Sequence, residues 1–266
     1  MRHILSLSGG KDSAALAIYL KDRVSKMEYV FSDTGKELPE TYAYLARIED
    51  YLGCNIERLN SKLNFDHWYE VYGGMIPSNH RRWCTKMLKL KPFEAYVGED
   101  RVVNYVGLRA DEQRTGYLSH KPNIQVVYPF REDGLKLADI HEILRVSGVG
   151  MPPYTKWGRT RSGCFFCFYQ QKIEWVRLKE THPDLYEIAK SYERPYPGSG
   201  NTFTWNHTES LAEIEDPKRM QAIKEEHHHR KASKALQGSD LTLAEVYRRR
   251  QLETDDNDDG CLICTL

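Results

Sequence analysis

Apolar and polar residues alternate in short blocks through the first half of the chain. Arg2–Leu7 is a short apolar run closed by a Gly pair, and it predicts a strand. Asp12–Arg23 follows with a wide apolar face (Ala14, Leu16, Ala17, Ile18, Leu20) and predicts a helix. Glu28–Ser32 predicts a second strand, ending in the turn Asp33-Thr34-Gly35. Pro39 opens the next helix, since proline is tolerated in a first turn. Asn55–Leu59, Arg101–Gly107 and Ile124–Tyr128 predict three further strands. Strands separated by helices imply an α/β fold: a doubly wound, mainly parallel five-stranded sheet with helices on both faces. In such sheets ligands bind beyond the carboxyl ends of the strands, where Gly9-Gly10 and Asp33-Thr34-Gly35 both fall.

The second half predicts a helical extension. Leu135–Val146, Glu174–Arg194, His207–Leu236 and Leu241–Leu252 read as helices, Arg194–Thr202 as a linker, and Glu253–Gly260 as an acidic tail ending in Cys261 and Cys264. The expected organisation is an α/β domain over 1–170, a helical region over 171–252, and a tail over 253–266. His227, His228 and His229 read as a solvated helix face. Cys54 reads as core.

Composition narrows the class. Hydrophobic residues make up 40% and charged residues 29%, an ordinary globular balance. No apolar run approaches the roughly 18 to 20 residues of a membrane helix. No export signal is apparent at the N-terminus. Lys+Arg and Asp+Glu are both 38, which argues against a polyanion binder held by bulk charge. Six cysteines in a chain this long point to a reducing, cytoplasmic setting and a metal, cluster or redox role.

Ser8-Gly9-Gly10-Lys11-Asp12-Ser13 joins the first strand to the first helix. Backbone N–H groups at a helix start converge on an anion, and two glycines allow close approach of a ligand. Ser8 and Ser13 add hydroxyls, Lys11 a charge, and Asp12 either a helix cap or a ligand for Mg²⁺ through water. The Walker pattern GxxxxGK[ST] is absent. Arg109 and Arg114 follow the fourth strand, where their forks match phosphate oxygens or pair with Asp111 and Glu112. Cys164-Phe-Phe-Cys167 has the spacing of two metal ligands. His80–Lys91 is basic and carries Trp83, which suits a negative substrate or nucleic-acid backbone, or a basic face near phosphates held by the loop.

The Ser8–Ser13 segment resembles the SGGxDS loop of the N-type ATP pyrophosphatases. Ser32-Asp33-Thr34-Gly35 with Leu38-Pro39-Glu40-Thr41, and Gly107-Leu108-Arg109 through Arg114, are similar to segments of the phosphoadenylylsulfate reductase-like family within that superfamily. The resemblance runs from about Ile4 to Gln170. It implies an adenine nucleotide alpha hydrolase-like fold and cleavage of ATP between its α- and β-phosphates. It implies Lys11, Asp12 and Arg109 as catalytic residues. It further implies Ser6, Ser8, Gly9, Gly10, Ser13, Asp33, Thr34, Gly35, Gly107 and Arg114 as additional ATP-binding residues, with Mg²⁺. Cys84, Cys164 and Cys167 correspond to ligands of a [4Fe-4S] cluster. The family's Cys-Cys pair is Trp83-Cys84 here, so the fourth position falls to Cys261 or Cys264 or stays open. Zinc, with His80 or His182, is the alternative. Cys261 and Cys264 are also candidate sulfur-relay thiols.

The chain lacks the family's ECGLH tail, which counts against sulfate reduction. Within the family it looks most similar to the ATP-pyrophosphatase component of DNA phosphorothioation systems. That implies adenylylation of a DNA backbone phosphate, a cysteine desulfurase as sulfur donor, and DNA-handling partner proteins, with a homodimer as the candidate assembly and no membrane role. The alternatives are a phosphoadenylylsulfate or adenylylsulfate reductase, a tRNA thiolation enzyme, and a non-catalytic nucleotide-binding protein.

Overall fold

A computed structural model describes residues 1–113, 119, 121–195 and 202–236. The helix expected over Leu241–Leu252, the acidic tail, Cys261 and Cys264 lie outside the described residues. Two compact units share the chain. Among the described residues, the first is built from Met1–Gly73 and Asn79–Phe165, and the second from Gly74–Ser78 and residues 166–236.

The first unit holds a parallel five-stranded sheet. Its strands are β1 (Arg2–Leu7), β2 (Met27–Asp33), β3 (Glu57–Asn60), β4 (Val102–Tyr105) and β5 (Ile124–Val127), in the order β3-β2-β1-β4-β5. Helices α1 (Lys11–Leu20), α2 (Pro39–Leu52), α3 (Phe65–Val71), α4 (Trp83–Thr85), α5 (Lys91–Val97), α6 (Pro129–Glu132) and α7 (Leu137–Val146) connect or follow the strands. One π turn (Lys86–Leu90) lies between α4 and α5. The fold is the α/β class that the alternation of apolar blocks predicts.

The two-residue period of the strands separates two cores. Leu5, Leu7, Tyr29 and Phe31 face one side, packed with Ala14, Leu16 and Leu20 of α1, Tyr44 and Ile48 of α2, and Ile140 and Leu144 of α7. Ile4, Val30, Leu59, Val102 and Ile124 face the other, with Phe93 and Val97 of α5. Strand order then sets the site. The chain moves outward from β1 to β2 and β3, and β4 pairs on the opposite side of β1. The switch point therefore lies between β1 and β4, and the segments that leave these two strands border one crevice.

The second unit contains α8 (Lys172–Thr181), α9 (Pro183–Ser191), α10 (Leu211–Ile214) and α11 (Pro217–Leu236). The helix expected over Glu174–Arg194 is two helices, because Pro183 lacks an N–H and starts a new first turn. The helix expected over His207–Leu236 is also two helices, α10 and α11, and α11 starts at Pro217, where the Asp216 carboxylate accepts from the N–H groups of Lys218 and Arg219. Aromatic packing fills this unit: Phe166 stacks on Trp205 at 4.8 Å, and Trp205 Nε1 donates to Ala189 O. Glu193, whose carboxyl is pushed up by burial, accepts from the N–H groups of Trp205 and Leu211. No helix among the described residues is long and apolar enough to cross a membrane. Cys54 is exposed, not core: it follows Gly53, whose left-handed backbone (φ 70°) ends α2 and turns the chain outward.

Candidate nucleotide site

The loop after β1 is shaped by its glycines and serines. Gly9 sits at φ +70°, a conformation that side chains rarely adopt, and a Cβ there would lie 2.5 Å from Thr41 Cγ2 of α2. Tyr154 OH donates to Gly9 O from a fully buried ring, in which burial raises the hydroxyl pKa far above its usual value. Ser13 Oγ accepts from Ser8 N at 3.1 Å and donates to Gly10 O at 3.2 Å. These bonds fold the loop back over the first turn of α1. The N-cap of α1 is Gly10, with no side-chain cap, so the first N–H groups of the helix have no side-chain acceptor at that position.

Asp12 therefore does not cap α1. It stands in the first turn between two cations, with Lys11 Nζ 3.1 Å from Oδ2 and Arg109 NH1 2.8 Å from Oδ1. Arg109 arrives from the end of β4. Gly107 allows this approach: a Cβ there would meet Asp12 O at 2.9 Å. The same guanidinium reaches Asp111 through Nε at 2.9 Å and Glu112 through NH1 at 3.2 Å. Burial alone would weaken its hold on the proton, but Asp12 and then Glu112 and Asp111 outweigh that effect, and the Arg109 pKa rises. The three contacts use Nε and NH1, and among the described residues NH2 has no carboxylate partner. Asp12 has one cation at each oxygen, so it holds Lys11 and Arg109 at one place, and its remaining lone pairs would let it hold a magnesium ion through water beside a phosphate.

The turn after β2 forms its own network. Asp33 Oδ1 accepts from Gly35 N at 2.8 Å and from Tyr42 OH at 2.7 Å. Thr34 Oγ1 donates to Glu37 Oε1 at 3.0 Å and lies 3.1 Å from Cys164 Sγ. Glu37 is buried, its carboxyl is pushed up by that burial against the pull of Lys89, and Oε2 has no hydrogen-bond partner among the described residues. Backbone pairing joins this turn to the cysteine segment, with Glu37 bridged to Cys164 and Phe165 N donating to Lys36 O.

The structure thus brings Ser8, Gly9, Gly10, Lys11, Asp12, Ser13, Gly107 and Arg109 together. Asp33, Thr34 and Gly35 close the neighbouring strand end. Ser6 sits deeper, 2% exposed within β1, with its hydroxyl directed to Asn104 Oδ1 at 3.3 Å. Arg114 lies outside the described residues. Among the described residues no three His, Cys, Asp or Glu side chains converge as a metal ion requires. Cys84, Cys164 and Cys167 are free thiols.

Sequence reasoning missed Tyr154, Glu37, Arg159 and Ser162. Ser162 Oγ donates to Ser8 Oγ at 3.3 Å from a position 154 residues away. No local pattern signals such a contact, although Glu37 stands inside the Asp33–Thr41 stretch already singled out.

Residues 2–131 match the phosphoadenosine phosphosulfate reductase domain. That domain thus covers both borders of the crevice, the Ser8–Ser13 loop and Arg109, and ends before the segment that carries Ser162 and Cys164. An uncharacterized protein of Methanocaldococcus jannaschii is 29% identical over 215 residues, which make up 74% of this chain and 42% of that protein. The chain thus spans less than half the length of this relative. The tRNA-specific 2-thiouridylase MnmA of Actinobacillus pleuropneumoniae is 25% identical over 126 residues, 42% of this chain and 32% of its own. Among solved structures, the phosphate complex of phosphoadenylyl-sulfate reductase from Candida auris aligns with a TM-score of 0.49 at 13% identity, over 62% of this chain and 81% of that one.

Proposed function

We propose that the chain is an ATP pyrophosphatase that adenylylates an acceptor for sulfur incorporation. One observation carries this reading: the Ser8–Ser13 cup meets the Lys11–Asp12–Arg109 constellation at the switch point between β1 and β4. The match to the phosphoadenosine phosphosulfate reductase domain and the similarity to a tRNA-specific 2-thiouridylase support an enzyme of nucleotide and sulfur chemistry.

In this reading the amides at the start of α1 grip the phosphates of magnesium–ATP. Asp12 orients Lys11 and Arg109 so that their remaining N–H groups face the charge that develops during transfer. An acceptor oxygen attacks the α-phosphorus, the α–β bridging bond breaks, and pyrophosphate leaves. Sulfur carried on a thiol, loaded by a cysteine desulfurase, then displaces AMP from the activated acceptor. A second thiol takes the other end of the S–S bond as a disulfide. The chain's own part is positioning and charge neutralisation, which suits a transfer with little covalent chemistry for the protein.

We take the acceptor to be a DNA backbone phosphate, giving a phosphorothioate, with DNA-handling partners compensating for the chain's zero net charge. The similarity to the tRNA thiouridylase favours a second acceptor, a tRNA base carbonyl activated in the same way. Pure protein with ATP and Mg²⁺ is to be assayed for pyrophosphate with DNA, with tRNA and with neither, each with a desulfurase and cysteine. The expected result is pyrophosphate stimulated by DNA and sulfur retained in the DNA. Stimulation by tRNA alone replaces the acceptor. No pyrophosphate under any condition overturns the enzyme reading and leaves a nucleotide-binding protein.

A further inference from the structure

The segment 159–164 is held in a fixed shape by a buried arginine. Arg159 is 1% exposed, and its guanidinium donates to the carbonyls of Arg161 at 2.9 Å, Gly163 at 3.1 Å and Cys164 at 2.7 Å. One planar fork thus binds three carbonyls of one four-residue stretch, a geometry a lysine cannot reproduce. The shape brings Ser162 against the loop after β1. Its hydroxyl lies 3.3 Å from Ser8 Oγ, which is itself 3.1 Å from Ser13 Oγ, and 3.0 Å from where a Cβ on Gly10 would stand. Three hydroxyls from two distant parts of the chain therefore meet at one edge of the cup. Ser162 is 8% exposed and Ser13 1%.

Charge completes the picture. Lys11 and Arg109 are already paired with Asp12, and Arg109 also with Asp111 and Glu112. These five groups sum to no positive excess, yet a nucleotide triphosphate arrives strongly anionic. Next to Ser162, Arg161 keeps NH1 hidden from solvent with no hydrogen-bond partner among the described residues. A desolvated cationic donor without an acceptor is unfavourable until an anion satisfies it.

We propose that Ser162 and Arg161 are phosphate-binding residues for the pyrophosphate end of the nucleotide. The inference rests on the proposed function, which places a triphosphate in the Ser8–Ser13 cup. It adds to that cup a wall drawn from outside the stretch that matches the reductase domain. Ser162 Oγ donates to a phosphate oxygen beside Ser8, and the Arg161 guanidinium supplies the positive charge that the paired cations of the cup do not.

The test is calorimetric binding of ATP, inorganic pyrophosphate and AMP, each with Mg²⁺, to the full chain and to Arg161→Gln, Arg161→Lys and Ser162→Ala. The expected result is a loss of about tenfold or more in affinity for ATP and pyrophosphate in Arg161→Gln, a smaller loss in Ser162→Ala, and AMP binding unchanged within about twofold. Arg161→Lys is expected to recover part of the loss. Equal weakening of all three ligands, or ATP and pyrophosphate binding unchanged in both Arg161→Gln and Ser162→Ala, overturns the inference. Ser162→Ala removes one hydroxyl only, and so keeps the test decisive should Arg161→Gln fail to fold. Wild-type protein that binds neither ATP nor pyrophosphate overturns the proposed function itself. Wild-type binding with unaffected variants overturns the inference alone.

Discussion

Arg109 NH1 lies 2.8 Å from Asp12 Oδ1, which ties the segment leaving β4 to the first turn of α1. The contact spans the sheet's switch point, so the two halves of the nucleotide site are fixed to each other by one charged hydrogen bond. Asp12 also holds Lys11, which makes the carboxylate an organiser of two cations.

Removing the guanidinium should therefore cost more than one charge. Arg109→Ala is expected to lower pyrophosphate release on the order of 10²-fold or more, because it removes a donor aimed at developing charge and frees Asp12 to draw Lys11 away. Arg109→Lys should recover little, since an ammonium cannot engage Asp12, Asp111 and Glu112 with fixed geometry. Steady-state pyrophosphate assays check this, with thermal melts to show that the variants stay folded. Activity within about threefold of wild type in Arg109→Ala would remove Arg109 from the mechanism.

Gly9 offers a test of the loop's shape that does not depend on catalysis. Alanine there must hold φ near +70° and press its Cβ on Thr41 Cγ2 at 2.5 Å. The left-handed backbone alone costs about 1–2 kcal/mol, and the methyl contact adds to it. Thr41→Ser deletes the offending methyl. The double variant Gly9→Ala/Thr41→Ser should then be more stable than the sum of the singles predicts, by roughly 0.5 kcal/mol or more. Urea denaturation of the four proteins measures the coupling. Strict additivity would show that the contact is relieved by movement of the loop.

The parts of this design that were legible in the sequence are those with a local signature. Ser8–Ser13 announces a loop because two glycines stand between an apolar run and an amphipathic helix. The strands of the sheet announce themselves as short apolar blocks. Arg109 was readable from its place after the fourth strand, although both readings of it hold at once: it pairs with Asp111 and Glu112 and also reaches Asp12. Ser162, Arg159 and Tyr154 were not readable, because each acts through a tertiary contact and nothing in their own neighbourhood requires it. Cys54 misled for the opposite reason. Its surroundings are apolar in sequence, but Gly53 ends the helix and turns the thiol outward. Of the two readings of Asp12, the helix cap does not hold: the N-cap is Gly10, and the carboxylate faces Lys11 and Arg109.

In the second unit, Glu193 is expected to act as a structural acceptor. It takes the N–H groups of Trp205 and Leu211 at 2.9 and 2.7 Å. Glu193→Ala leaves both without their acceptor and should destabilise the protein by about 1–3 kcal/mol, with Glu193→Gln milder because its amide oxygen still accepts. Chemical denaturation with tryptophan fluorescence reports this directly, since Trp205 lies at the contact.

Two glutamates of the same unit should contribute to its acid stability in opposite directions. Glu209 accepts from Arg219 through both oxygens, at 2.6 and 2.9 Å, and from Lys172 at 2.9 Å. Arg219 chiefly, with Lys172, pulls its carboxyl down to about 2 against the opposing effect of burial. A depressed folded-state value means that ionised Glu209 stabilises the fold above the ordinary carboxylate range. That contribution fades as pH falls from about 5 to about 2, and with its partial exposure it amounts to about 1–3 kcal/mol. Glu193 is raised by burial, so the folded state binds its proton more tightly than the unfolded chain does. Lowering pH through the ordinary carboxylate range therefore favours the fold at this site. Glu209→Gln should lower stability at pH 7 and flatten the loss of stability in acid, whereas Glu193→Gln should make that loss steeper. Melting temperatures of wild type and both variants between pH 7 and pH 3 decide the matter. Parallel curves for all three proteins would show that neither carboxylate is linked to folding.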